Sequence, residues 1–332
     1  MLFSIIIPVY NRPEEMEELL QSLLQLNYSD PFEIVVIEDG SALKSDEIVN
    51  KYSKQLAISY YFKENSGPGD SRNFGMQKAK GDYFIIFDSD CIIPKQYLAE
   101  VSKALTKDFV DFFGGPDQAL DSFSDIQKAI NFSMTSFITT GGIRGGSEKL
   151  NKFQPRSFNM GISKVAFQAS GGFGNIHPGE DPDLTIRLWE LGFHSKLIQN
   201  AFVYHKRRID WNKFSIQTNK FGKARPILDS WHPKYSKLTY FFPSIFILGL
   251  YGSLVLLLFV QDFLFKLYCF YFLLILIFST IQNKSIRIGF LSILATGKQF
   301  NSYGLGFIIS FIKIKLLKQN PQKAFPELFF TK

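Results

Sequence analysis

Cysteine is scarce in this chain: Cys91 and Cys269 are the only two among 332 residues. One lies beside an acidic motif and the other inside an apolar run, which excludes a disulfide framework, argues against a cysteine metal site and suits a reducing compartment. Acidic residues are nearly missing from the C-terminal third. Residues 233–332 carry only Asp262 and Glu327 against eleven Lys and Arg, a net +9 within an overall +7, so the rest of the chain sums to −2. Cations set among long apolar stretches suit an anionic membrane surface. No basic helix with interleaved aromatic platforms accompanies them, so nucleic acid is not expected as a partner. The apolar stretch 2–7 has no basic region before it and ends at Pro8, so a signal peptide is not expected either.

The length allows one large domain or two ordinary ones, enough for an enzyme core. The first ninety residues alternate short β-branched runs with helical patterns. Phe3 to Val9 reads as a buried strand; Met16, Leu19, Leu20, Leu23 and Leu24 follow at helical spacing after Pro13, Glu14 and Glu15. Further strands are expected at Glu33–Ile37, Ile58–Phe62 and Asp82–Phe87. Such alternation predicts an α/β fold with a mostly parallel sheet, in which ligands bind at the carboxyl ends of the strands. Residues 114–180 show weak periodicity and read as irregular structure with short strands around an acceptor cleft. Helical spacing returns at Asp183–Leu191, and Lys196–Tyr204 is expected to be an edge strand.

Composition changes sharply near Phe241. Residues 241–260 are almost wholly apolar, long enough to cross a hydrocarbon core of about 30 Å as a helix, and residues 267–281 form a second run. Lys234 and Lys237 precede the first, and Lys284 and Arg287 follow the second. This places a hairpin's basic ends on the cytoplasmic side. The stretch from Tyr303 to Leu317 has the mixed pattern of an interfacial helix. The expected organisation is a catalytic domain over 1–232 and a membrane-attachment region over 233–332, with a transmembrane hairpin at about 241–281 and an amphipathic tail at about 286–320. Core helices of a soluble second domain are the alternative.

Polar clusters fall where the expected strands end. Asp88-Ser89-Asp90 offers two hard oxygen donors suited to Mg²⁺ or Mn²⁺ against a diphosphate, though a bare Asp-x-Asp is equally a solvated turn. Glu38-Asp39-Gly40-Ser41 ends the second strand, where Asp39 can accept hydrogen bonds from a base or ribose. Asn65 to Asn73 joins backbone freedom to a cation, Arg72, which faces either a ligand or Asp70. The run Pro8-Val9-Tyr10-Asn11-Arg12 lacks glycine, unlike the phosphate loop a nucleotidyltransferase would need.

Together, Ile5-Ile6-Ile7-Pro8-Val9-Tyr10-Asn11-Arg12, the Glu38–Ser41 turn, Gly69-Asp70-Ser71-Arg72-Asn73-Phe74-Gly75 and Asp88-Ser89-Asp90 resemble family 2 glycosyltransferases of the GT-A fold. The resemblance covers about residues 1–215. It implies an inverting transferase whose nucleotide-sugar site takes in Pro8, Tyr10, Asn11, Arg12, Glu38, Asp39, Arg72, Asn73, Asp88 and Ser89. Asp88 and Asp90 would hold a metal diphosphate, with His205 a third metal ligand or a solvated edge histidine. Gly179-Glu180-Asp181-Pro182 resembles the acceptor-side Glu-Asp motif, with Asp181 as catalytic base and Glu180 positioning it or the acceptor. Asp181 before Pro182 is also a plausible helix cap. Lys206, Arg207 and Arg208 are candidates to meet the leaving diphosphate or lipid phosphates. Gln217-Thr218-Asn219-Lys220-Phe221 departs from the Gln-x-x-Arg-Trp element of processive members, because Lys220 lacks a guanidinium fork. His177, His194 and His232 read as structural or surface residues. The implied donor is a nucleotide-diphosphate sugar and the acceptor a saccharide or lipid-linked saccharide, at the cytoplasmic face of the inner membrane. A nucleotidyltransferase and a non-catalytic scaffold remain the competing functions.

Overall fold

The computed structural model describes residues 1–141, 153–206, 210–259 and 261–330. The chain forms two compact units. The first comprises Met1–Gln118, Gly146–Lys206 and Phe329–Lys332; the second comprises Ala119–Gly145 and Arg207–Leu328. Residues 119–141 and 210–231 therefore cluster with the C-terminal helices, although both precede the boundary expected at 232.

In the first unit, β1 (Phe3–Val9) is buried at every position and pairs in parallel with β2 (Phe32–Asp39) and β4 (Tyr83–Phe87); β2 pairs in parallel with β3 (Ile58–Lys63). A strand covered on both faces is an unbroken apolar run, which is why Ile5-Ile6-Ile7 shows no polar alternation. Side chains still alternate in direction. Ile5, Ile7, Val36 and Ile85 join one core, while Ile6, Val35, Ile37, Phe84 and Ile86 join the core on the opposite face. Helix α1 (Pro13–Leu24) starts with Pro at its first position and Glu14 and Glu15 in its first turn, and it buries Met16, Leu19, Leu20 and Leu23 in the first core. The short α2 (Asp46–Tyr52) adds Val49 and Tyr52, and α4 (Tyr97–Lys107) adds Leu98, Val101 and Leu105. On the other face, α3 (Pro68–Lys78) contributes Met76.

The sheet continues through β8 (Asn159–Ser163), which runs antiparallel to β4 and to β6 (Phe112–Gly114), and ends at β9 (Ser195–Leu197). A smaller sheet places β10 (Val203–His205) between β5 (Cys91–Ile92) and β7 (Asp117–Gln118), with His205 opposite Cys91. The single strand expected over Lys196–Tyr204 is thus two: β9 closes the large sheet, and β10 lies in the middle of the small one.

The segment expected to be irregular is more ordered than its composition predicted. Helix α5 (Asp125–Thr135) begins with a full capping box, Ser124 and Gln127 satisfying each other's backbone N–H. The four-residue α6 (Phe137–Thr140) follows, and α7 (Lys164–Ser170) is capped by Ser163. Helix α8 spans Glu180–Glu190.

In the second unit, α9 (Trp211–Trp231), α10 (Phe242–Leu257), α11 (Phe263–Asn283) and α12 (Ile286–Ser310) follow one another, with α12 packed on the other three, and a π-helical stretch covers Phe311–Leu316. Among the described residues, two helical segments are long and apolar enough to cross a membrane, Leu238–Leu257 with mean hydropathy 1.9 and Phe263–Asn283 with 2.1. The second borrows residues on both sides of the 267–281 run, as its length required. The stretch expected as an interfacial tail contains α12, which buries Gly289, Ser292, Ala295, Thr296, Gly304 and Gly306 against its neighbours. Small residues let helix backbones approach where no hydrophobic force separates lipid from protein. The Oγ atoms of Ser279 and Ser292 are 2.7 Å apart between α11 and α12. Asn219 Nδ2 donates to Ser302 O at 3.0 Å, so the 217–221 segment lies in α9 on the α12 face.

The α9 and α12 backbones touch most closely at two glycines. A Cβ on Gly222 would lie 2.1 Å from Tyr303 O, and one on Gly306 2.3 Å from Asn219 O. Gly222→Ala should therefore destabilise the helical unit by about 1–3 kcal/mol in detergent, read by thermal unfolding. Gly252→Ala is the control, since a Cβ there meets nothing within 4 Å. Unchanged stability of Gly222→Ala would refute the close crossing.

Candidate active site

The site is built at the carboxyl ends of β1, β2 and β4. Asp39 closes β2 and is 4% exposed; it accepts the Ser66 and Gly67 backbone N–H groups, each at 3.0 Å, and its Oδ1 lies 2.6 Å from Lys63 Nζ. Lys63 ends β3 and is the register partner of Asp39 across that strand pair. Glu38 points the other way. Fully buried, it accepts the Ser41 hydroxyl, the Ser45 N–H at 2.8 Å and the Tyr60 hydroxyl at 3.2 Å. Asn11 adopts φ +53°, takes the Ser41 Oγ on its N–H, and accepts the Ala42 and Leu43 N–H groups on Oδ1. Asn tolerates this left-handed backbone because its side chain bonds locally. Pro8 is buried within β1, whereas Tyr10 beyond it is 52% exposed.

Arg72 carries the central charge. On α3 and only 2% exposed, it donates through Nη2 to Asp88 Oδ1 at 2.7 Å and through Nη1 to Glu180 Oε1 at 2.9 Å, with Cζ 5.4 Å from the Phe173 ring centroid. Its partner is therefore not Asp70, which accepts the Ser66 hydroxyl at 2.5 Å and lies 3.5 Å from Lys63 Nζ. Burial alone pulls the guanidinium pKa down, and the two carboxylates more than offset it, so the net shift is upward. The adjacent Asn73 ties α3 to Phe173 by accepting its N–H and donating to its carbonyl. A second cluster holds Asp90: Arg12 Nη1 lies 2.8 Å from its Oδ2 and His205 Nε2 3.1 Å from its Oδ1, while Phe158 stacks on the His205 ring at 4.5 Å. Ser89, between the two acids, is 5% exposed.

Helix α8 starts with Gly179 as its N-cap, which overturns Asp181 as a capping residue; Asp181 stands in the first turn, 3.5 Å from Arg156 Nη1. The residue before it, Glu180, is buried and bonded to both Arg72 and His177, whose Nδ1 is 3.0 Å from Oε1.

Known proteins resemble this chain in sequence and fold. The family model described as Glycosyl transferase family 2 matches residues 4–173, just over half of the 332 residues. The chain belongs to this family. Among relatives of this family 2 member, Probable glycosyltransferase YdaM of Bacillus subtilis is 24% identical over 287 residues, covering 76% of this chain and 67% of YdaM. An uncharacterized glycosyltransferase of Rickettsia bellii is 39% identical over 87 residues, so the match spans 26% of this chain and only 12% of that relative. Among solved structures, the mannosyltransferase PcManGT of Pyrobaculum calidifontis, in complex with GDP-Man and Mn²⁺, aligns with TM-score 0.56 and 15% identity over 71% of this chain and 65% of its own. Residues 1–349 of Staphylococcus aureus TarS align with TM-score 0.53 and 19% identity over 96% and 92%. The GT-A fold expected from the motifs is the fold found.

The donor set of this family 2 member suits a hard divalent cation in part. Adjacent ligand atoms of an octahedral Mg²⁺ or Mn²⁺ stand about 3 Å apart, and the 3.1 Å between His205 Nε2 and Asp90 Oδ1 matches that spacing. Asp88 is a third of the way exposed and is held by Arg72. The cysteine count argued against thiol ligands, yet Cys91 offers its Sγ within 4.8 Å of the Asp90 and His205 ligand atoms. Its softness and its hydrogen bond to Phe158 O at 3.5 Å make it a packing neighbour rather than a ligand for such an ion. Lys206 pairs with Glu18, while Arg207 and Arg208 lie outside the described residues.

Three residues of the site escaped sequence reasoning. Lys63 was legible, since parallel neighbours that end together bring their last side chains together. His177 stands three residues before Glu180, a spacing that was available too; Arg156 follows an undescribed stretch and carried no signal. Partial burial pulls the His177 pKa down, but the Glu180 carboxylate outweighs it and leaves it raised; Glu180, pushed up by burial, is brought below its usual value by His177 and Arg72. A raised histidine stabilises the fold fully below its ordinary value of 6.5 and stops doing so as pH climbs through the raised value. A depressed glutamate stabilises above its ordinary 4.5 and stops as pH falls. The pair thus contributes most between those two values. The thermal stability lost in His177→Ala should be larger at about pH 5.5 than at about pH 8.5; an equal loss at both would show that the pair is not charged.

Proposed function

We propose that the chain transfers a sugar from a nucleotide-diphosphate sugar to an acceptor hydroxyl with inversion at the anomeric carbon. The observation that carries this reading is Arg72 held between Asp88 and Glu180, because it joins the diphosphate end of the motif set to the acceptor end. Asp39 receives the base or ribose, with Pro8, Tyr10, Asn11 and Glu38 shaping that side, and Arg12, Arg72, Asn73, Asp88 and Ser89 line the route to the diphosphate. A divalent Mg²⁺ or Mn²⁺ held by Asp88, Asp90 and His205 would neutralise the diphosphate. The acceptor oxygen attacks the anomeric carbon from the face opposite the diphosphate, the carbon–oxygen bond to phosphate breaks, and the pair of electrons leaves with the diphosphate. Asp181 takes the hydroxyl proton as the new bond forms. Arg156, 3.5 Å from Asp181, orients that carboxylate.

Support for a membrane-bound acceptor comes from the two apolar helices and the cations that flank them. We read the catalytic unit as cytoplasmic and the acceptor as a lipid-linked or other envelope saccharide. UDP-GlcNAc and GDP-Man, each bound in a structural neighbour, are the first donors to try.

Asp181→Asn should leave donor binding within about twofold while transfer to membrane-extract acceptors, followed by mass spectrometry, falls about 10²- to 10⁴-fold. Transfer at the wild-type rate would remove Asp181 as base; no consumption of any donor by the wild type would favour a non-catalytic scaffold. His205→Ala should weaken Mn²⁺ binding, read by electron paramagnetic resonance with UDP present, by about tenfold or more. Unaltered Mn²⁺ affinity would take His205 out of the metal shell.

A further inference from the structure

Phe329 and Phe330 pack within the first unit, although the residues just before them belong to the second. Phe329 forms an antiparallel bridge with Ile176, and Phe330 N donates to Asn175 O at 3.1 Å. The Phe330 ring lies directly on Gly67, where φ is +92° and a Cβ would sit 2.4 Å from Cδ2 of the ring. The same ring is 6.2 Å from the His177 ring, centroid to centroid. One aromatic side chain therefore covers both the turn organised by Asp39 and the histidine that braces Glu180.

Gly67 links that turn to α3. It caps α3, its N–H is held by Asp39, and its backbone occupies a region that only glycine visits freely. Asp39 holds the Gly67 N–H and the Ser71 N–H donates to the Gly67 carbonyl at 3.1 Å, and the ring packed against the Cα adds a third restraint, because rotation of the turn drives backbone atoms into it. Arg72 lies five residues further along the same helix, so the angle at which α3 leaves the turn sets where the guanidinium sits.

We propose that Phe330 is a positioning residue, its ring fixing the Ser66-Gly67 turn in the shape with which Asp39 and Arg72 receive a nucleoside diphosphate. The proposal rests on the glycosyltransferase reading of Asp39 and Arg72, and the ordering of the turn can be measured without it. The experiment uses the full chain in detergent, with Phe330→Ala and Phe330→Leu, UDP and GDP as probes in the presence of Mn²⁺, and amide hydrogen exchange. Phe330→Ala should weaken nucleotide binding by about tenfold and speed exchange at Ser66 and Gly67, with β1 and β2 unchanged; Phe330→Leu should recover most of the affinity. A purely structural role would instead lower the fraction of sites that bind and leave the dissociation constant of the remainder unaltered, which overturns the proposal. So would wild-type exchange at Ser66 and Gly67 in Phe330→Ala. If the wild type binds neither nucleotide, the glycosyltransferase reading fails and takes the nucleotide half of the proposal with it, while the exchange rates still decide whether the ring orders the turn.

Discussion

The buried guanidinium of Arg72 is what the rest of the site depends on. Asp88 at the end of β4 and Glu180 at the start of α8 are both acceptors of its hydrogen bonds, and neither lies near it in sequence. Removing the cation would leave the buried Glu180 with His177 as its remaining ionic partner and Asp88 without the guanidinium. Keeping it fixes three pieces of backbone at once: α3, the end of the fourth strand, and the first turn of α8. The catalytic candidate Asp181 owes its place to the residue before it, because Glu180 is pinned and the helix begins there.

The second acid of the Asp-Ser-Asp motif is compensated separately, by Arg12 and His205. Each carboxylate thus already has a positive partner drawn from a different part of the chain. Under the proposed transfer, a diphosphate and its cation would exchange these charges, the anion drawing on Arg12 and Arg72 and the cation on Asp88 and Asp90. Such an exchange avoids exposing a bare charge to a poorly hydrated pocket, which would be the costly step. The small sheet makes this possible by setting His205 opposite Cys91, one residue beyond Asp90.

Most of the large sheet could be read from the sequence because strands covered on both faces are written as unbroken β-branched runs, and Ile5-Ile6-Ile7 and Ile34-Val35-Val36-Ile37 are such runs. The polar residues that end them were therefore placed correctly in the fold. The partners of those residues were harder. Arg72 chose Asp88 and Glu180 over the nearby Asp70 because tertiary packing brings α8 beside α3, which no local spacing encodes. Helix α5 was missed despite the visible Ser124 and Gln127 capping pair, because its apolar residues serve a helical unit completed far downstream, and their periodicity was masked by Phe and Ser on several faces. The packing role of α12 was hidden for a related reason: glycine and serine at helix contacts read as polar or flexible until the neighbouring backbone is seen.

The interleaving of the two units sets an order on synthesis. Helix α5, with Ile130, Phe132 and Met134 each under 5% exposed in the finished protein, leaves the ribosome well before α9 to α12, against which it is buried. Those side chains must be sheltered by a chaperone, by the bilayer or by transient contacts while the intervening residues, which belong to the other unit, are made. The nucleotide-binding unit waits as well, because Phe329 and Phe330 join it only after all four long helices have emerged. Completion of the helical unit and maturation of the candidate site are therefore parts of one assembly schedule.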